Sequence, residues 1–265
     1  MLTFLKLGGS LITDKDRPHT PRPEVIARLA EEIAAARREK PDLRLVLGHG
    51  SGSFGHAAAG KHGTREGVHT PQAWRGFAEV WQAARSLNCL VTEALHAAGL
   101  PAVAFPLSAA ATVEAGRVVA WNLYPLRSAL ASGLLPVVYG DVAFDTARGG
   151  TILSTEDIFA HLGAALHPRR ILIAGAEPGV WADYPACTRI IPKLTPADLE
   201  RRRAALRGSA STDVTGGMLS KVTGMLSLLE AQPALEEVCI FGGAQAGAVR
   251  AALLGASPGT LLRRA

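Results

Sequence analysis

Along the chain, short and mainly apolar runs alternate with longer segments of helical period. The short runs are LTFLKLG (2–8), LRLVLG (43–48), PAVAFPL (101–107), LLPVVYG (134–140), RILIAG (170–175) and EVCIFGG (237–243). They are apolar almost throughout, not at every second residue, and each stops near glycine, proline or a polar residue. Strands buried on both faces read this way. Helical patterns occupy 22–39, 75–98, 122–132, 154–166, 195–207, 215–231 and 247–254. The alternation predicts an α/β fold with a mainly parallel sheet. Ligands of such sheets bind beyond the carboxyl ends of the strands, so the residues just after each run carry the functional question.

Some boundaries are legible. Ser154 precedes TEDIFAHLG with Asp157 three residues on, a capping box in which aspartate replaces glutamate. Thr195-Pro196 offers a cap and a proline at the first helical position. Two segments read as loops or hairpins, HAAAGKHGTREGVHTP (56–71) and VAFDTARGGTIL (142–153). The first is too long and glycine-dotted for a tight connection and is expected to be a lid.

Composition narrows the classes. The 265 residues suit one large domain or two joined lobes. With 48% hydrophobic and 19% charged residues the chain reads as an ordinary globular protein. No apolar run approaches the roughly 18 residues that span a bilayer, and MLTFLKLGGS lacks the features of a signal peptide. Cys89, Cys187 and Cys239 are odd in number and far apart, so no disulfide or zinc framework is expected. A cytoplasmic setting is the simplest. The net charge of +5 suits either nucleic acid or a phosphorylated substrate. Its arginines cluster in helical stretches such as 201–203. Aromatic residues are only 5% and do not interleave with the basic clusters, which argues against a stacking platform for single strands. No nucleic-acid or membrane partner is expected.

Three glycine-rich loops hold the candidate chemistry: KLGGSLITDK (6–15), GHGSGSFGH (48–56) and TDVTGGMLSK (212–221). Glycine lets backbone N–H groups converge on an anion, and a helix start adds partial positive charge. Lys6, Lys15, Lys221 and His56 stand with these loops, so together they point to phosphate binding. Gly50 to Gly55 spells GxGxxG, but the expected following helix and acidic strand end are not readable after it. GHAAAGK (55–61) nearly spells a Walker loop, but His62 stands where a magnesium-binding Ser or Thr belongs.

KLGGS at the first strand, GDV at 140–142, TDVTGGM…K at 212–221 and GTLL at 259–262 together resemble the amino acid kinase superfamily. KLGGSLITDK joined to HGSGSFGH is similar to its isopentenyl phosphate kinase branch, which the fosfomycin kinases share. The resemblance implies a three-layer αβα sandwich with a mainly parallel open central sheet, spanning 1–265 as a single domain. An acceptor-binding part would cover about 1–165 and a nucleotide-binding part about 166–265. It also implies a homodimer, and transfer of a phosphoryl group from ATP, with Mg2+ carried on the ATP phosphates, to isopentenyl phosphate. Fosfomycin or another small phosphate as acceptor, and a non-catalytic nucleotide-binding sensor, stay open as alternatives.

The resemblance also implies roles. Lys6 and Lys221 would act on the ATP phosphates and the transition state, with Asp157 orienting both lysines. Gly8, Gly9, Ser10, Gly52, Gly216 and Gly217 would give close backbone approach to ATP, and Asp141 and Gly179 would complete that side. After RILIAG the usual Thr-Asp pair is replaced by Ala176-Glu177, so Trp181 or Asp183 is expected to take over adenosine contacts. Lys15, Ser51, Gly55, His56 and Gly140 would hold the acceptor, with His56 donating to its phosphate. Phe77 and Trp81, four residues apart, would share a helix face along an apolar slot.

Overall fold

The computed structural model describes residues 1–207 and 217–264, without the side chains of 56, 57 and 203–207. In chain order the strands are β1 (Leu2–Leu7), β2 (Arg44–His49), β3 (Ala102–Ala104), β4 (Ala111–Glu114), β5 (Arg117–Trp121), β6 (Leu135–Tyr139), β7 (Asp141–Asp145), β8 (Gly149–Leu153), β9 (Arg170–Gly175), β10 (Lys193–Leu194), β11 (Glu237–Gly242) and β12 (Thr260–Leu262). The helices are α1 (Gly9–Ile12), α2 (Pro23–Glu39), α3 (Gly52–His62), α4 (Pro71–Ala97), α5 (Tyr124–Ala131), α6 (Thr155–Leu166), α7 (Pro196–Arg207), α8 (Gly217–Ala231) and α9 (Ala248–Leu254).

Eight strands form one sheet in the order β10-β12-β11-β9-β1-β2-β6-β3. All its pairings are parallel except β11 with β12. Strand residues alternate between its two faces. Leu5, Leu47, Leu172 and Phe241 pack with α2, α4 and α9 through Leu29, Leu87 and Val249. Phe4, Val46, Ile171 and Ile240 pack with α5, α6 and α8 through Leu126, Phe159 and Leu229. This is the αβα sandwich. β1 lies between β2 and β9, so the chain winds away from it in both directions. A crevice opens at the carboxyl ends of strands where such a reversal occurs.

Two parts differ from expectation. A second sheet, ordered β5-β4-β7-β8, is folded from 111–121 and 141–153. The hairpin at 142–153 is present, but β4 and β5 were not visible in the sequence. Their turn, Ala115-Gly116, takes the positive φ values of 48 and 80 that a two-residue hairpin needs, without the Asn-Gly spelling that announces one. The stretch 56–71 is not all loop, since α3 runs to His62. Ala57 to Ala59 favour a helix, and Gly63 closes it in the left-handed conformation. A helix therefore does follow GxGxxG. What separates the segment from a dinucleotide fingerprint is its next strand, β3, which ends on Ala104 and not on an acid.

Candidate active site

A cavity of about 610 Å³ opens beyond the ends of β1, β2, β6 and β9. Its wall brings together Lys6, Gly8, Gly9, Ser10, Lys15, Ser51, Gly52, Gly55, Gly140 and Lys221, all named from the sequence. Two of the glycine loops are pressed together backbone to backbone. A Cβ on Gly9 would lie 2.5 Å from the Gly52 nitrogen. A Cβ on Gly52, whose φ is +51, would lie 2.3 Å from Thr13 Oγ1. Thr13 Oγ1 ties the loops, donating to the Gly9 carbonyl at 2.7 Å and accepting from Ser53 N at 2.9 Å. Glycine is required here by contact, and the N-terminus of α3 is thereby fixed in the cavity wall.

Lys6 leaves β1 almost fully buried and is ion-paired with Glu156. Burial alone would push the Glu156 carboxyl up. The charges of Lys6 and Lys221 and the hydrogen bond from Lys6 outweigh it and hold it below the ordinary glutamate range. Glu156 Oε1 is buried with no hydrogen-bond partner among the described residues. Two lysines thus face one carboxylate at the meeting of β1, α6 and α8.

That carboxylate is not Asp157, which the sequence reading had chosen. Asp157 closes the cap of α6: its Oδ2 accepts from Ser154 N at 2.9 Å and Ser154 Oγ at 2.7 Å, while its own N–H donates to Ser154 Oγ at 3.2 Å. Adjacent helical residues point about 100° apart, so an aspartate that caps cannot also face the lysines. Asp141 is likewise displaced from its expected role. It is fully buried beside Gly140, accepting from Ser108 Oγ at 2.7 Å and Val142 N at 2.8 Å. Burial pushes its carboxyl up to about 6.

The remaining assignments divide. His56 lies in α3 next to Gly55, with its side chain outside the described residues, and Gly216 lies outside them altogether. Gly217 opens α8 but is not in the cavity wall. Gly179, Trp181 and Asp183 are also absent from the wall. Gly179 packs on Thr260, the Trp181 indole N–H donates to Glu177 at 2.7 Å, and Asp183 accepts from the Thr188 and Arg189 N–H groups at 3.2 Å. Phe77 and Trp81 lie about 40° apart around α4 but differ in burial. Phe77 is 7% exposed and clusters with Val68, Val80 and Ala59, whereas Trp81 is 39% exposed and carries Arg85 over its ring. The buried stripe of α4 runs through Phe77, Val80, Ala84 and Leu87, and Trp81 falls outside it.

Sequence reasoning missed Glu156 and Thr155, and also Arg65, Glu66, Asp16 and Ile152 in the wall. A signal for Glu156 existed: once Asp157 is assigned to the cap, its neighbour is the remaining carboxylate at the start of α6.

Three comparisons agree with this geometry. The profile of the amino acid kinase family matches residues 1–242. The chain is 35% identical to an isopentenyl phosphate kinase of Methanothermobacter thermautotrophicus, covering 96% of each chain. It is 37% identical to an isopentenyl phosphate kinase of Haloferax volcanii, over 99% of this chain and 98% of that one. A solved structure described as isopentenyl phosphate kinase superposes with a TM-score of 0.80 at 29% identity, covering 99% of this chain and 100% of that one. By sequence, fold and cavity together, the chain belongs to the amino acid kinase family and, within it, to the isopentenyl phosphate kinases.

Proposed function

We propose that the chain transfers the γ-phosphoryl group of ATP to the phosphate of isopentenyl phosphate, giving isopentenyl diphosphate and ADP. The observation that carries this reading is the Lys6–Glu156–Lys221 cluster set in a glycine-lined cavity that also holds Lys15. The acceptor is a phosphate monoester with a second pKa of about 6, already largely ionised at neutral pH. It needs no general base. The task is to bring two anions together and to stabilise charge on the group in transit. Lys6 and Lys221 do this from the donor side, and Glu156 keeps their charges in place. The N–H groups of the Gly50–Gly52 turn lie between donor and acceptor. Lys15 and His56 hold the acceptor phosphate, with His56 donating from α3.

The lysines and backbone N–H groups of the cavity suit phosphate oxygens. Magnesium is expected to travel on the nucleotide phosphates and neutralise their charge. The apolar tail fits against Ala59 and Ile152, which are backed by Phe77 and Val80. Residues of about 1–165 serve the acceptor and 166–265 the nucleotide, in one domain. A cytoplasmic homodimer completes the reading. None of the described helices is long and apolar enough to cross a membrane.

The test is turnover by the purified protein with ATP, magnesium and either isopentenyl phosphate or fosfomycin. Formation of isopentenyl diphosphate is expected, and turnover of neither acceptor, or of fosfomycin alone, rules the proposal out. His56→Ala is expected to weaken acceptor binding and slow turnover while ATP affinity stays near that of the parent. A collapse of ATP affinity would place His56 on the wrong substrate.

A further inference from the structure

His49 ends β2 one residue before the glycine turn, is fully buried, and is absent from the cavity wall. It nevertheless touches three of the elements that form that wall. Its ring Nδ1 lies 3.1 Å from the Gly50 carbonyl oxygen. Its own carbonyl accepts from Gly140 N at 3.2 Å and from Thr155 Oγ1 at 2.6 Å. Gly50, Gly140 and Thr155 all line the cavity, and Thr155 is the neighbour of Glu156. The ring is held in turn by Tyr139, stacked at 5.4 Å between centroids, and by Asn88, whose side-chain oxygen Oδ1 lies 3.1 Å from Nε2.

We infer that His49 is a positioning residue, a neutral imidazole whose Nδ1–H fixes the Gly50 carbonyl and so aims the N–H groups of the glycine turn. The tautomer follows from the partners. A carbonyl oxygen can only accept, so Nδ1 carries the proton. A second proton on Nε2 would make a buried cation near Lys6, and burial and the Lys6 charge both oppose that. Nε2 therefore accepts, and the Asn88 amide presents its NH2 group to it, an orientation that a half-turn of the amide supplies. Through this chain of contacts α4 anchors the turn that the phosphates meet. The inference rests on the phosphoryl-transfer reading for its kinetic consequence only, since the tautomer belongs to the resting protein.

The experiment compares two variants. His49→Phe combined with Asn88→Leu keeps volume and ring stacking and leaves no orphaned buried amide, but loses the bond to Gly50. His49→Asn is smaller and leaves a void, yet keeps a donor near the Nδ1 position. If packing were the whole role, the double variant would be the better enzyme. With positioning, the double variant falls roughly 10- to 100-fold in kcat while KM for ATP moves less than about twofold, and His49→Asn is the faster of the two despite its lower Tm. A folded double variant with the parent's kcat overturns the inference, as does the same rank order in kcat and Tm. If the double variant does not fold, the imidazole nitrogen spectrum of the unmodified protein at pH 7 decides. A proton on Nδ1 alone is expected, and a ring protonated on Nε2 overturns it. If the unmodified protein leaves isopentenyl phosphate untouched, the proposed function fails, and the spectrum still judges His49.

Discussion

Replacing Glu156 with glutamine probes the centre of the site without changing its shape. At a contact distance of about 3 Å and an effective dielectric of about 20, one ion pair is worth roughly 5 kcal/mol before desolvation. Removing one partner of a buried pair costs about 3–5 kcal/mol. Lys6 and Glu156 have side chains 8% and 15% exposed, so the lower end, about 3 kcal/mol, applies. For 265 residues, unfolding entropy scales to roughly 560 cal/mol/K, which converts that loss to a fall in Tm of about 5 °C. The informative part comes with nucleotide. In the parent, Glu156 repels the ATP phosphates that seek the same lysines, and the variant removes that repulsion. A tenfold gain in affinity would raise the stabilisation by ATP from about 2.7 kcal/mol, at 100 times the parent's Kd, to about 4.1 kcal/mol at the same concentration. Thermal unfolding with and without ATP reads the difference as an extra upward shift of about 2–3 °C in Glu156→Gln. Turnover is expected to fall, because the lysines lose the carboxylate that aligns them. An equal or smaller ATP-induced shift in the variant would refute the placement of both lysines on the nucleotide phosphates.

Gly52→Ala should destabilise the fold by about 3 kcal/mol, combining roughly 1–2 kcal/mol for an L-residue in the left-handed region with the clash on Thr13; urea unfolding within 1 kcal/mol of the parent would contradict the interlocked loops. Phe77→Ala should cost about 3–5 kcal/mol in the same measurement, whereas Trp81→Ala should cost under about 1 kcal/mol, mainly its contact with Arg85. Asp141 binds its proton more tightly folded, near 6, than its ordinary value of 3.8. Stability should therefore fall as pH rises from about 4 to 6, by up to roughly 3 kcal/mol. Asp141→Asn should remove that slope, and a variant with an unchanged pH profile would refute the assignment.

The central sheet was legible because burial on both faces writes a continuous apolar run. RILIAG coincides with β9, and LTFLKLG and LRLVLG differ from β1 and β2 by a residue at the ends. The β4–β5 part of the second sheet was not legible for the opposite reason. β5 is exposed or half-buried throughout, and β4 finds its other neighbour in β7, a distant strand. α3 was hidden by its glycines, which are there for the cavity. Gly55 has Ser51 directly beneath it, where a Cβ would come within 2.4 Å, so a residue that weakens the helix is retained for close approach.

The site divides along the same line. Gly8, Gly9, Ser51 and Gly52 were readable because loops after buried strands have one place to go, the carboxyl edge of the sheet. The carboxylate was misread because STED offers two acids and a composition-level motif cannot say which one turns inward. Physical chemistry can: the capping box takes its acid at the third helical position, and Asp157 satisfies both Ser154 donors from there. Glu156, one residue earlier, is longer and lies where α6 meets β1. It is the residue whose reach matches a lysine rising from the neighbouring strand. A glutamate in that place extends the carboxylate between two lysines, and the loss of its charge, more than any change at Asp157, is what ATP binding will report.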